Sequence, residues 1–154
     1  MNIQKELEKE GIEVIEKLDV LIKNDIVKNI SRRIIETFPD YELNQEQLYQ
    51  KLSKLEMYSA KMTEGMAEAS YSYKNTSIYF NEQLEYEDLE EFAIHECIHY
   101  LQEIKDEKNN LIRMGVCNYK NNKPFGLGLN EAGVQTMASL IIGVEPDYEK
   151  YYNI

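Results

Sequence analysis

Both histidines of the chain lie in one short stretch, AIHECIHYLQ, which runs from Ala93 to Gln102. His95 and His99 are four residues apart, and Glu96 stands between them. Residues at this spacing lie one above the other on the same face of an α-helix. The stretch therefore constrains the fold before any other feature, because as a helix it must present two imidazoles side by side.

The segment Glu85–Lys105 has the pattern of a buried helix with one polar stripe. On a helical wheel of about 100° per residue, His95, His99 and Gln102 fall together, and most of the remaining circumference is apolar. Two imidazoles placed in this way can bring nitrogens to about 2.0–2.1 Å from one zinc ion. Glu96, offset by one position, points beside such a metal and can take a proton from an attacking water.

A third candidate ligand occurs in GLGLNEAGVQTMA, residues 126–138. Glu131 stands near the start of a predicted helix, Asn130 to about Ile142, which Gly143 ends. Catalytic zinc sites commonly use three protein ligands and leave the fourth position to water. The chain has no third histidine, so a site with three histidines is excluded. The alternative role for Glu131 is charge complementarity at a helix N-terminus.

The pair HECIH and NEAGVQ resembles the gluzincin branch of the zincin metallopeptidases, to which thermolysin belongs. The resemblance implies zinc as cofactor, with His95, His99 and Glu131 as its ligands and Glu96 as general base. It also covers the order of elements over about residues 77–143: a strand, the HECIH helix, a loop and the glutamate helix. The activity that it implies is hydrolysis of peptide bonds in a peptide or protein substrate.

The chain departs from the pattern of this family in three respects. The 31 residues of positions 100–130 separate His99 from Glu131, which is longer than the thermolysin spacing. Where thermolysin-like proteins have an aspartate that orients a zinc-bound histidine, this chain has Gln135, which can accept a hydrogen bond but brings no charge. The additional active-site histidine of the family has no counterpart, so another group would have to support the transition state. The candidates for that role are Arg113, Tyr119, Tyr148, Tyr151 and Tyr152.

The predicted fold is α+β and zincin-like, in a single domain of residues 1–154. Residues 1–55 form a helical N-terminal part, residues 56–143 the zincin-like core, and residues 144–154 a tail. Residues 3–38 have the helical period, with a possible break and N-cap at Asn24 or Asp25, and Asn44 caps a third helix. MYSAKM, AEASYSY and TSIYFN read as strands of a small antiparallel or mixed sheet, with a turn at Lys74-Asn75. Residues 109–129 read as turns.

Composition limits the partners and the location. The formal net charge of −11 disfavours binding to nucleic acid, no apolar run is long enough to span a membrane, and the charged N-terminus lacks a signal peptide. We therefore expect a cytoplasmic protein. Cys97 and Cys117 do not indicate a disulfide framework, and Cys97 is expected to be a small buried apolar residue.

Three functions remain open at this point. The first is a zinc peptidase, whose peptide substrate would lie antiparallel along an exposed sheet edge at Ser77–Asn81. The second is a non-catalytic zincin-like binding module that holds a structural zinc and docks a partner. The third, a helical interaction protein without metal, requires both motifs to be coincidences. The oligomeric state does not follow from the sequence.

Overall fold

The computed structural model describes residues 3–39, 43–63, 68–105, 107–108, 111–114, 117–120, 123–125 and 127–143. At Ile3, at Ile104 and from residue 111 to residue 133 it describes the backbone alone. The elements follow in the order α1 (Ile3–Lys9), β1 (Ile12–Lys17), α2 (Val20–Thr37), α3 (Gln45–Leu52), β2 (Glu56–Met62), β3 (Ala69–Ser72), β4 (Ser77–Asn81), α4 (Leu89–Gln102), β5 (Glu103–Lys105), β6 (Leu111–Met114), β7 (Cys117–Lys120), β8 (Lys123–Phe125) and α5 (Leu127–Ile142). The predicted α+β class is confirmed.

The first sheet contains the three predicted strands and one that was not predicted. Its order is β1-β2-β4-β3, with β2 parallel to β4 and the other two pairs antiparallel. The sheet is therefore mixed. The predicted turn at Lys74-Asn75 is confirmed, because it joins β3 to β4.

Helices cover both faces of this sheet. Along β4, Ile78 and Phe80 belong to the main core with α2, α4 and α5, whereas Tyr79 packs on the opposite face with Leu7 of α1 and Ile12 of β1. A strand buried on both faces reads as a continuous apolar run, which is why SIYF shows no alternation. The main core fixes α4 against the sheet, and α4 carries both histidines.

The prediction of helix over residues 3–38 is wrong at residues 12–17. Gly11 has φ 84°, which ends α1, and Ile12–Lys17 then pairs with β2 as an edge strand. Ile12 and Val14 point to the same side and pack with Tyr79. The sequence IEVIEK has apolar residues that suit either period, and β-branched residues favour the strand. The N-terminal part of the chain is therefore not wholly helical.

The N-cap predicted for α2 is wrong, and the N-cap predicted for α3 is confirmed. Helix α2 starts at Val20, and Asp19 is its N-cap, with its carboxylate accepting a hydrogen bond of 2.8 Å from the Leu21 amide. The predicted cap at Asn24 or Asp25 is wrong. Asn44 caps α3 as predicted, because its side chain accepts from the Gln47 amide at 3.0 Å.

Helix α4 is shorter than predicted, and a second sheet follows it. A 3-10 turn, Tyr86–Asp88, precedes the helix, and Glu103 already has extended backbone. Strands β5 to β8 then form an antiparallel sheet in sequence order. The prediction for residues 109–129 was turns alone, and it missed these strands because strands of three or four residues leave little periodicity among so many turn-forming residues.

Helix α5 packs against α4, so the segment NEAGVQ of α5 lies next to the HECIH helix. Gly143 ends it as predicted, with φ 87° and its amide donating to the carbonyl of Ser139 at 2.7 Å. None of the helices in the described part of the chain is long and apolar enough to cross a membrane.

Candidate metal centre

The two histidines lie together inside the protein. Their ring centroids are 5.0 Å apart, and the rings meet edge to face at 69°. His95 is 1% exposed and His99 is 6% exposed, and all residues from Phe92 to Tyr100 are buried. The predicted buried helix with a polar stripe is confirmed. Burial of two imidazoles on one face is costly unless a partner or a ligand satisfies them.

His95 has a polar partner on the neighbouring helix. Its Nδ1 lies 3.0 Å from Oε1 of Gln135, which is 5% exposed. Because a carbonyl oxygen can only accept, Nδ1 must carry a proton, and the lone pair of the neutral ring is then on Nε2, the nitrogen through which it could bind a metal. A hydrogen bond of this kind fixes the tautomer and orientation of metal-binding histidines. The expectation that Gln135 could accept a hydrogen bond at this position agrees with the contact.

Ser139 extends the contact by one helical turn. Nε2 of Gln135 donates to Oγ of Ser139 over 3.3 Å, and Ser139 is 2% exposed. Ser139 was not among the site residues predicted from the sequence. The available signal was its spacing of four residues from Gln135, which puts both on the same face of α5.

The backbone of Glu131 lies in the first turns of α5, four residues before Gln135. Residues four apart share a helix face, so Glu131 is on the face of α5 from which Gln135 reaches His95. Its side chain is outside the described residues. Among the side chains that the structure describes, no group of three His, Cys, Asp or Glu residues could hold a metal ion. The third ligand therefore stays a prediction.

Glu96 is buried beside the histidines, with 7% of its surface exposed. Its neighbour Cys97 is fully buried, and burial, followed by the charge of Glu96, raises the pKa of the thiol. Cys97 therefore stays a neutral thiol in the core, as predicted. Gln102, the third member of the polar stripe, has a buried Oε1 without a hydrogen-bond partner among the described residues.

A polar cluster that was not predicted from the sequence ties the end of α4 to strand β3. The hydroxyl of Tyr71 donates to Glu103 over 2.6 Å, and the other oxygen of Glu103 lies 3.3 Å from Lys105 Nζ. Lys105 also donates to the carbonyl of Tyr73 at 2.6 Å. The ring of Tyr71 also lies 5.8 Å from that of Tyr100, which is four residues after Glu96, so β3 runs along the side of α4 that carries Glu96.

The structure corrects the predicted substrate strand. Ser77–Asn81 is β4, which lies between β2 and β3 and has no free edge. The predicted position is wrong because TSIYFN is buried on both faces, a property of central strands. In the first sheet, as far as it is described, β3 has one neighbour only, and it packs against α4.

The candidates for transition-state support lie where no side chain is described. Arg113 and Tyr119 occupy β6 and β7, of which the backbone alone is described. Tyr148, Tyr151 and Tyr152 are outside the described residues. All five stay candidates.

Comparison of the chain with protein-family models, with curated proteins and with solved structures gives no match. The site must therefore be interpreted from its own residues. Two buried imidazoles with one orienting amide suit zinc, which imidazole nitrogens bind well.

Proposed function

We propose that the chain is a zinc-dependent metallopeptidase with a zincin-like fold of the gluzincin branch. His95, His99 and Glu131 are the zinc ligands in this proposal. The observation that carries it is the hydrogen bond between His95 and Gln135. It joins the HECIH helix to the helix of Glu131, and it puts a proton on Nδ1 of His95, which is the arrangement of a histidine that binds metal through Nε2.

Each residue of the site has a separate task in the reaction. When bound, zinc would polarise the peptide carbonyl and acidify the attacking water. Glu96 accepts the proton from this water and passes it to the leaving amine. Burial of Glu96 suits this role, because a base shielded from solvent exchanges its proton with the substrate and not with bulk water.

A peptide or protein segment is the proposed substrate. An extended peptide can add to a free strand edge through main-chain hydrogen bonds, and β3 offers that edge on the Glu96 side of α4. The net charge of −11 makes nucleic acid an unfavourable partner. We place the reaction in the cytoplasm and propose no membrane partner.

Replacement of Glu96 by glutamine tests the enzymatic part of the proposal. The amide keeps the shape of the side chain but cannot accept the proton, so turnover should fall by at least about 10²–10⁴-fold while zinc content is unchanged. Glu87→Gln, the same change at an exposed position just before α4, is the matched control. The zinc content of wild type, Glu96→Gln and Glu87→Gln is measured first, and the cleavage of a proteome-derived peptide library by the three proteins is then compared. Equal cleavage by Glu96→Gln and wild type would remove Glu96 as the base.

The second candidate is a non-catalytic binding module that holds a structural zinc. The neutral Gln135 favours it, because an amide supports a zinc-bound histidine less strongly than a carboxylate does. The module should bind a partner with equal affinity before and after Glu96→Gln, and neither protein should cleave peptides. A purely structural site does not need a buried base beside its ligands, so Glu96 favours the peptidase.

A further inference from the structure

The outer edge of β3 presents main-chain groups in a fixed order. The amide of Asn81 donates to the carbonyl of Glu68 at 2.9 Å, in line with the register of β3 on β4. In an antiparallel pair, residues alternate between bonding to the partner strand and pointing away from it. Counted from Glu68, the N–H and C=O groups of Ala69 and Tyr71 therefore point away from β4. Among the described residues, these groups have no hydrogen-bond partner.

Lys105 occupies the next position along this edge. Tyr73 continues the series of Ala69 and Tyr71, and its carbonyl accepts a hydrogen bond of 2.6 Å from Nζ of Lys105. Glu103 at 3.3 Å and the ring of Tyr73 at 5.9 Å hold the same ammonium group. We propose that Lys105 is a specificity-determining residue: it ends the edge of β3, so that an extended peptide pairs with Ala69 and Tyr71 only.

The two edges of the first sheet differ in how open they are to pairing. The register of β1 is irregular between Val14 and Glu16, and the strand carries exposed charges at Glu13, Glu16 and Lys17. Bulges and charges of this kind protect an edge against another chain. The sequence of β3, ASYS, has no charge, and its register on β4 is regular. The edge without protection is therefore the one that packs against α4.

An extended peptide is the partner that suits these groups. Its main chain can bond to the N–H and C=O groups of Ala69 and Tyr71. Peptide side chains directly opposite these two residues lie on the same face of the sheet as they do, towards α4. A second copy of the chain is a poor partner, because two molecules with a net charge of −11 repel each other.

The end of the edge has a consequence for a peptidase. The ring of Tyr71 lies 5.8 Å from that of Tyr100, and its hydroxyl bonds to Glu103, so Lys105 stands beside the end of α4. A peptide on β3 can therefore extend past Ala69 but not past Tyr71. As far as it makes this peptide the substrate, the inference rests on the proposed function, and Lys105 then limits how many substrate residues lie on its side of the cleaved bond.

The first measurement is amide hydrogen exchange in the full wild-type chain without ligand. The amides of Ala69 and Tyr71 should exchange at least about 100-fold faster than that of Ser70, which bonds to β4. Equal protection of the three amides would show that the edge is already covered, and it would overturn the proposal.

The second measurement is peptide binding by the Glu96→Gln chain, with a proteome-derived peptide library as the probe. A retained peptide should slow the exchange of Ala69 and Tyr71 and leave that of Ser70 unchanged. Retention of no peptide, or of peptides that leave both amides unprotected, would overturn the proposal. Absence of zinc or of cleavage in wild type would refute the proposed function instead, and peptide pairing on β3 would still be decided by these amides.

The role of Lys105 is tested by shortening a retained peptide from the end beside this residue. With Lys105 present, removal of the peptide residue that faces Tyr73 should change Kd by less than about 2-fold. In Lys105→Met the freed carbonyl of Tyr73 can accept from the peptide, so the same removal should weaken binding by about 2–10-fold. Lys105→Arg, which keeps a donor, is the control and should behave as wild type.

The comparison separates a limit on the edge from a structural role. A merely structural role of Lys105 would weaken binding of all peptide lengths equally in Lys105→Met. An equal effect of shortening in Lys105→Met and in the chain with Lys105 would overturn the proposal. Lys105→Leu gives the same comparison if methionine is not tolerated, and the exchange measurement on wild type needs no variant.

Discussion

At the scale of single residues, the choice of nitrogen on His95 links the structure to chemistry. A histidine binds metal through a nitrogen that has no proton, and the partner of the other nitrogen sets which one this is. Here the partner is Gln135, reached from α5. The site therefore depends on a contact between two helices that are far apart in sequence.

Removal of the acceptor at position 135 should weaken zinc binding. Gln135→Leu keeps a side chain of similar size but leaves Nδ1 of His95 without an acceptor, and loss of such a partner typically costs 10–100-fold in metal affinity. Gln135→Glu, which keeps an acceptor, is the control and should bind at least as tightly as wild type. Chelator competition measures all three proteins. Equal affinity of Gln135→Leu and wild type would show that Gln135 does not support His95 as a metal ligand.

The sequence identified most of these residues but not all their contacts. His95, Glu96, His99 and Gln135 could be found because their spacing follows helix geometry, which local sequence determines. The spacing puts Ser139 on the same face of α5 as Gln135, but it does not show their contact, since a serine in an apolar helix is equally compatible with a bond to its own backbone. The contact depends on the direction in which the Gln135 side chain extends towards His95.

At the scale of secondary-structure elements, the left-handed conformation of Gly143 at the end of α5 can be tested by its effect on stability. Gly143 has φ 87°, and a β-carbon added there would meet nothing within 4 Å. Gly143→Ala therefore costs only backbone strain, and it should lower the free energy of unfolding by about 1–2 kcal/mol. Gly143→Asn, which tolerates this conformation better, should lose less. Urea denaturation measures both, and no loss in the alanine variant would contradict the left-handed end of α5.

The contact between β3 and the end of α4 predicts a dependence of stability on pH. Burial first, and then the hydrogen bond to Glu103, raise the pKa of Tyr71, with smaller contributions from Tyr100 and Cys97. The raised pKa stabilises the folded protein below pH about 10, the ordinary tyrosine value. This stabilisation is lost as the pH rises above that value, because the unfolded chain ionises first.

Tyr71→Phe tests this contact. At pH 7 the variant should lose about 1.5–3 kcal/mol of unfolding free energy, the usual effect of a hydrogen bond to a charged group. The difference between wild type and variant should shrink above pH 10. Tyr73→Phe is the control, since only its carbonyl and its ring contact Lys105. A difference that stays constant from pH 7 to pH 11 would contradict the account.

The elements that the sequence did not predict share a physical cause. The sequence of β1 also predicts helix because Ile12, Val14 and Ile15 fit both periods, and its pairing with β2 decides the outcome. In the second sheet, strands of three or four residues carry too little periodicity to be recognised. These strands form through pairing between residues that are distant in sequence, and a local sequence pattern carries no information about such pairing.

At the scale of the whole molecule, the N-terminal part is built into the rest of the fold. β1 is an edge strand of the first sheet, and α2 contributes Ile26, Val27 and Ile30 to the core that contains α4. The predicted single domain of residues 1–154 leads to one cooperative unfolding transition. Circular dichroism and tyrosine fluorescence should give coincident urea curves. Two separate transitions would show that residues 1–55 form a unit of their own.

The most direct test of the central claim is the zinc content of the purified protein, measured by mass spectrometry of the metal after dialysis. Wild type should hold one zinc per chain. His95→Ala, His99→Ala and Glu131→Ala should each lose most of it, since each removes one of three ligands, whereas Glu87→Ala should lose none. Absence of zinc in a wild type reconstituted with the metal, or full retention in Glu131→Ala, would contradict the gluzincin site.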